Sequence, residues 1–506
     1  MEIKNILTGY NWFEIDGVTA RGYCFTDRDE LLKDKALAMH FATVTDEKTL
    51  AQRLTSQRGG LFAIIINKPN FKAIAVDNAR IYPLFYNSKG VIADRAYSLL
   101  NAKSTIDNNA LEMYHVAGMT PENKTLICDI HQVAPSSYVI FENDNIICKK
   151  YYNYLIEKGK CKKKDLKELN IAVEKAFKQA ISSVEGRQIV VPLSGGYDSR
   201  LVICMLHKLK YKNVLCYTVG NNDSYEVKIA RKVCQVLGYK HIIVDNTAII
   251  GSGLDIESEV FKAYSRHLGN LICFTYVFEF VALRHLKNLN VISDDAVFMP
   301  GHSGDFYGGA YVRKSHVTSS DSPQTIANKI IFDILEFGYS HRVKRLIANN
   351  ISSKYEPHSV VQDYVLNNTL ALNINNSARI YEHFHHEVRL PFWSKYLLDF
   401  FKDICPEQLT GDRLYYTYVH DIYKHLEIDF RQPEYSLKDI QRQWYKNRIR
   451  KLLPKRIASL FTKHNNITDE LTLCQPMIKQ IKGKPLYSVN DLMREWYLAK
   501  VKELLQ

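Results

Sequence analysis

The chain has 506 residues, with 67 Lys and Arg against 54 Asp and Glu, a formal charge of +13, 46% hydrophobic and 24% charged residues. That length suggests two to four domains with ample core, and the composition is that of an ordinary soluble globular protein. With no run of about 18 apolar residues, no signal peptide and no Cys-x-x-Cys among ten scattered cysteines, neither a transmembrane span, a zinc site nor a disulfide framework is expected, and the cytoplasm is the expected compartment.

Residues 1–153 read as strand-rich, with short apolar runs at Phe62–Ile66, Ala73–Val76 and Ser137–Phe141. The charged, core-poor stretch 157–165 reads as a linker. Leu166, Leu169, Val173, Phe177, Ile181 and Val184 then follow helical spacing. From 189 onward strands and helices alternate: Ile189–Leu193, Val214–Val219, Ser224–Leu237 as helix, His241–Asp245, and a fourth strand at Val297–Pro300. Such alternation predicts a parallel sheet with helices on both faces. After about 320 the chain reads mostly helical. Near the C-terminus Arg442, Lys446, Arg448, Arg450, Lys451, Lys455 and Arg456 interleave with Trp444, Ile449, Leu452, Leu453, Ile457, Leu460 and Phe461. This basic 438–463 segment reads either as a helix with one packed and one solvated face or as a contact for anionic membrane. Nucleic acid is not expected as a partner.

The most informative stretch is Leu193-Ser194-Gly195-Gly196-Tyr197-Asp198-Ser199-Arg200, between the strand at 189 and an apolar, helix-spaced segment. Ligands of open α/β sheets bind outside the carboxyl ends of strands. Glycines there let backbone N–H groups approach an anion, and a helix N-terminus adds favourable charge. Ser194 and Ser199 can donate to phosphate. Asp198 would repel phosphate unless a cation intervened, so it implies Mg²⁺. The Gly-Lys-Ser/Thr ending of a Walker loop is absent.

This stretch resembles the S-G-G-x-D-S loop of the N-type ATP pyrophosphatases. Gly60–Ala63, Val76–Tyr86, Thr125–Ile130 and Val133–Pro135 resemble the glutaminase-type domain of asparagine synthetase B. Tyr217–Gly220, Gly301–Tyr311 and Glu387–Phe392, the last similar to E-x-R-x-P-F, resemble its synthetase domain. The resemblance implies an α/β protein: an N-terminal Ntn-hydrolase-like αββα sandwich, then a PP-loop doubly wound parallel sheet with a mostly helical C-terminal part. The expected domains are an inactive glutaminase-like domain over 1–155, an ATP-pyrophosphatase domain over 166–430 and a basic helical extension over 431–506.

Three departures from the family pattern shape the expected chemistry. Position 2 is Glu where the family's glutaminase cysteine stands, and the only early thiol is Cys24. The metal loop, Ser303 to Gly309, is one residue short, though Asp305 still supplies a carboxylate. Arg413 replaces a lysine thought to stabilise the acyl-adenylate, and arginine cannot serve as a base near neutral pH.

The resemblance therefore implies an AMP-forming amide ligase using ATP and Mg²⁺. Asp198 and Asp305 would hold the metal, with Ser194, Gly195, Gly196 and Ser199 around the pyrophosphate and adenine against Leu193, Val219 and Gly301. Glu387, Tyr311 and Arg413 are the candidate catalytic residues. Glu387 has an alternative reading as an ion-pair partner of Arg389 or Arg379, and Glu226 an alternative as a solvated or capping residue. The acceptor would be a small-molecule or glycan carboxylate, such as aspartate or a uronic acid of surface polysaccharide, with ammonia or an amine as nitrogen donor. An intramolecular cyclase of the β-lactam synthetase or lasso type, a nucleotide-binding scaffold without turnover, and an RNA-modifying PP-loop enzyme are the competing readings.

Overall fold

The computed structural model describes residues 2–9, 11–142, 145–245, 255–411, 413–430, 445–446, 448–449, 451–453 and 488–506. The N-terminal region holds two sheets. One runs in the order Asn145–Lys150, Ser137–Glu142, Lys72–Val76, Gly59–Asn67, Val18–Phe25, Phe13–Ile15, with Leu31–Lys33 also on Val18–Phe25, antiparallel throughout. The other orders Lys4–Ile6, Val91–Ala93, Phe85–Asn87 and Ile130–Gln132.

The apolar run at 62–66 lacks polar alternation because both of its faces are covered. Leu61, Ala63 and Ile65 enter the main core. Phe62, Ile64 and Ile66 enter a second core with Leu37, Ala38, Phe41, Leu50 and Leu54, carried by the helices Asp34–Ala42 and Glu47–Ser56.

The linker stretch ends in a capping box. Asp165 accepts the Glu168 N–H at 2.8 Å, and Glu168 reaches back to the Asp165 N–H at 3.2 Å, which starts the helix Leu166–Ser182. A parallel sheet of five strands follows, in the order Lys240–Val244, Val214–Val219, Ile189–Pro192, Val297–Phe298, Glu387–Val388. The first strand in sequence lies in the middle. The next two go to one side and the last two to the other. The switch point of this sheet is therefore the carboxyl end of Ile189–Pro192, where the glycine loop sits. The strand Glu387–Val388 was not expected; two residues leave no period to read. The helical character after 320 includes two stretches with i→i+5 bonding, Ile330–Ile334 and Val365–Ile374.

Two features of the C-terminal part bear on the expected extension. The described part of 431–506 does not stand apart as an extension. Its helix Val489–Glu503 buries Leu492, Met493, Trp496, Tyr497, Leu498 and Val501 in the main core. Tyr497 bonds Tyr97 at 2.8 Å and accepts the Leu271 N–H at 2.9 Å. In the basic segment, most of which lies outside the described residues, the bonded side chains are basic and the exposed ones apolar. Arg448 pairs with Asp333 at 2.6 Å, and Lys451 donates to the Phe332 carbonyl at 2.7 Å, whereas Tyr445, Ile449 and Leu452 are exposed. None of the described helices is long and apolar enough to cross a membrane.

Candidate active site

The glycine loop is braced by its own two serines. The Ser194 N–H and hydroxyl both lie 3.0 Å from Ser199 Oγ, and the Gly196 N–H donates to Ser194 Oγ at 3.1 Å. The helix Tyr197–Lys208 begins directly afterwards, and no side chain caps it. Its first N–H groups are thus the kind that receive an anion. Close approaches fix the glycines around it. A Cβ on Gly195 would sit 2.9 Å from Glu226 Cα, which makes Glu226 a wall of the loop.

The loop at 301–305 meets this one from the neighbouring strand. A Cβ on Gly301 would lie 2.5 Å from the Ser199 nitrogen, and one on Gly304 would lie 2.4 Å from the Asp198 carboxyl carbon. The Asp305 N–H donates to the Asp198 carboxylate, and the two charges repel. Burial, then Asp305, push the Asp198 carboxyl up to about 8, against a hydrogen bond from Tyr415. Burial likewise raises Asp305. Two carboxylates brought together in a half-buried site could share a proton or hold a cation, and their hard oxygen donors would suit Mg²⁺.

The model of the family described as Asparagine synthase matches residues 172–457, more than half of the chain. The chain belongs to the asparagine synthase family. No curated protein matches its sequence. Among solved structures it is similar to the U34-tRNA thiolase NcsA from Methanococcus maripaludis with its 4Fe-4S cluster. The identity is 15%, over 60% of this chain and 88% of that one, and the TM-score is 0.20, too low to establish a shared fold.

Asparagine synthase membership implies ATP use, and the remaining candidate residues fall unevenly around the glycine loop. The Leu193 N–H donates to the Tyr217 carbonyl at 2.8 Å, and its carbonyl accepts the Thr218 hydroxyl at 2.6 Å. Val219 ends the adjacent strand. Tyr311 lies within the field of both carboxylates, which with burial raises its hydroxyl pKa. Arg413 reaches the site through Tyr416: its guanidinium is 4.4 Å from that ring, and Tyr416 feels the Asp198 charge.

Glu387 is the exception. Its register places it level with Val297, and Val297 level with Ile189, at the amino end of the sheet. Asp198 lies past the carboxyl end. Glu387 instead lines a separate cavity of about 460 Å³ with Arg21, Lys33 and Arg187. It is ion-paired to Arg187 and, at 2.8 Å, to Arg389. Burial would raise its pKa, but the two guanidiniums outweigh it and hold the carboxyl at about 2. A carboxylate that acidic is a poor base, so the catalytic expectation for Glu387 gives way to its alternative, the pair with Arg389. Arg379 belongs to another carboxylate, Glu382, at 3.4 Å.

Two residues of the site were missed. Tyr415 donates to Asp198 Oδ1 at 2.9 Å. Arg200, fully buried, lies between the Tyr197 and Tyr423 rings at 4.9 and 4.7 Å. It donates to the carbonyls of Gly196 at 3.2 Å and Phe430 at 2.9 Å. It thereby ties the glycine loop to the segment beyond the helix Leu414–His425. The signal for both was adjacency: Arg200 follows Asp198-Ser199, and Tyr415 follows Arg413.

Proposed function

We propose that this protein is an AMP-forming amide ligase that uses ATP and Mg²⁺ to activate a carboxylate as an acyl-adenylate, which ammonia or an amine then attacks. The observation that carries this reading is the convergence of Asp198 and Asp305 on the serine-glycine loop at the switch point of the sheet. A carboxylate is a poor electrophile, so forming an amide from it needs a leaving group. Transfer of AMP to it leaves charge on pyrophosphate oxygens, and fixed dipoles stabilise such charge most effectively. Backbone N–H groups at Gly195, Gly196 and the following helix start would supply them. Mg²⁺, held by Asp198 and Asp305, would supply charge neutralisation at the pyrophosphate. Arg413, exposed beside Tyr416, would meet charge on the acyl-adenylate, and Tyr311 would orient the incoming nitrogen.

The acceptor we favour is a small or glycan-borne carboxylate, such as a uronic acid. Pyrophosphate release against a panel of carboxylates, with ammonia and simple amines, tests the reading. Release that depends on one carboxylate supports it; ATP turnover with none sinks it.

We further propose that the N-terminal sheets are a glutaminase-like domain without glutaminase chemistry. Cys24 is fully buried in the second core, and burial pushes its thiol far above the ordinary range. A thiol in that state is neither ionised nor reachable. Glutamine alone is therefore expected not to support turnover where ammonium does. Glutamate release from glutamine, blocked by thiol alkylation, would count against this.

A further inference from the structure

Arg80 is buried to 0% exposure, yet its needs are unmet. Its backbone is left-handed, with φ of 54°, a conformation that glycine adopts freely and other L-residues resist. Its Nε donates to the Val133 carbonyl at 2.9 Å. Neither Nη1 nor Nη2 has a hydrogen-bond partner among the described residues.

Asp77 offers Arg80 its charge but no hydrogen bond to the Nη atoms. Both oxygens of Asp77 are spent on backbone N–H groups, of Phe62 at 2.9 Å, Ala79 at 2.7 Å and Arg80 at 3.0 Å. Glu382 already serves Arg21 at 2.5 Å, Arg379 at 3.4 Å and His267 at 3.2 Å. Asp94 accepts the Thr8 N–H at 3.0 Å and the Trp12 indole at 3.2 Å.

The surroundings carry another unspent donor. Arg379, itself buried, repels Arg80. Its Nε is taken up by the ion pair with Glu382, whereas Asn270 Nδ2 makes no hydrogen bond among the described residues. The Asn375 amide donates to the Ala79 carbonyl at 3.4 Å, which seats the 375–379 stretch against Arg80. Buried polar groups are normally partnered, by protein, water or ion. Water would satisfy these donors but leave a surplus of positive charge, since Arg21, Arg80 and Arg379 face only Asp77, whose charge acts on Arg80, and Glu382, and surplus buried charge is unfavourable.

We propose that a small monovalent anion of chloride size binds between Arg80 and the 375–379 stretch, at the seam of the N-terminal sheets and the parallel-sheet region. It would be a structural counter-ion, independent of the reading of the nucleotide site. The strained backbone is what delivers the guanidinium to this seam.

The test is thermal unfolding of the full chain in sodium chloride or bromide against sodium gluconate at equal ionic strength. An anion that binds the folded state alone should raise the wild-type Tm by about 3–5 °C. Arg80→Gly, which suits the left-handed backbone and removes the charge, should abolish that difference. Arg80→Met, which keeps the apolar bulk, should do the same and covers the case in which the glycine variant does not fold. Equal wild-type Tm values in chloride and gluconate, or a difference that survives in a folded variant, overturn the proposal. A bromide-soaked wild-type crystal provides an arm that needs no variant. An anomalous peak within hydrogen-bond distance of Arg80 Nη1 and Nη2 supports the site; water alone there overturns it.

Discussion

Asp198→Asn is expected to lower pyrophosphate release by on the order of 10³-fold while leaving the fold intact, the scale seen when one element of an electrostatic clamp is removed. The substitution keeps the shape of the side chain and its capacity to accept from Tyr415, which donates at 2.9 Å. It removes one of only two carboxylates that the two loops bring together. Asp305→Asn should act in the same direction, and the double variant should fall little further, because both residues would serve one cation. Circular dichroism and Tm report the fold. The fold cost should be small or favourable, since a neutral amide at this position would relieve the repulsion that burial and Asp305 impose on the Asp198 carboxylate. Near-normal release by a folded Asp198→Asn protein would reduce the loop to a structural turn and remove the main support for catalysis here.

The second large effect concerns stability. Glu382 is buried and serves Arg21, Arg379 and His267 together. Arg21 comes from the strand Val18–Phe25 and the other two from the parallel-sheet region, so one carboxylate bridges the N-terminal sheets to the rest. Glu382→Ala leaves two buried guanidiniums without it and is expected to cost about 3–5 kcal/mol, read from chemical denaturation. The pH dependence has a definite sign. Burial would raise the Glu382 pKa, but Arg21 and its neighbours outweigh burial and hold it well below the ordinary value. Its contribution is therefore complete above the unfolded value, about pH 4.3, and is lost as pH falls through the depressed folded value. A Glu382→Gln protein should show a shallower loss of stability with acid over that window than wild type. Identical acid profiles would show that the carboxylate is not the group that titrates.

The buried parallel strands were legible in the sequence because strands covered on both faces read as unbroken apolar runs. Val214–Val219 matched its expected bounds for that reason. The place of the serine-glycine loop was legible because its glycines separate an apolar strand from a helix-spaced run. Glu387 was misplaced for a physical reason. Its motif names residue types but not the end of the sheet from which the side chain departs, and the strand register supplies that. Arg200 and Arg80 were illegible as buried groups, because a guanidinium in sequence reads as surface until its aromatic or carbonyl surroundings are known.

Tyr114, Leu201 and Trp496 belong to a single apolar body, although they come from the beginning, middle and end of the chain. The protein is therefore not modular in the way its order of elements suggests. Cleavage in the 157–165 stretch would not release two self-sufficient halves, since each would carry a broad bare face that water would have to cover. The N-terminal region is then not dispensable cargo, whether or not it carries chemistry of its own. It is one wall of the building that holds the glycine loop, and exchanging it between relatives would require carrying its mating surface along.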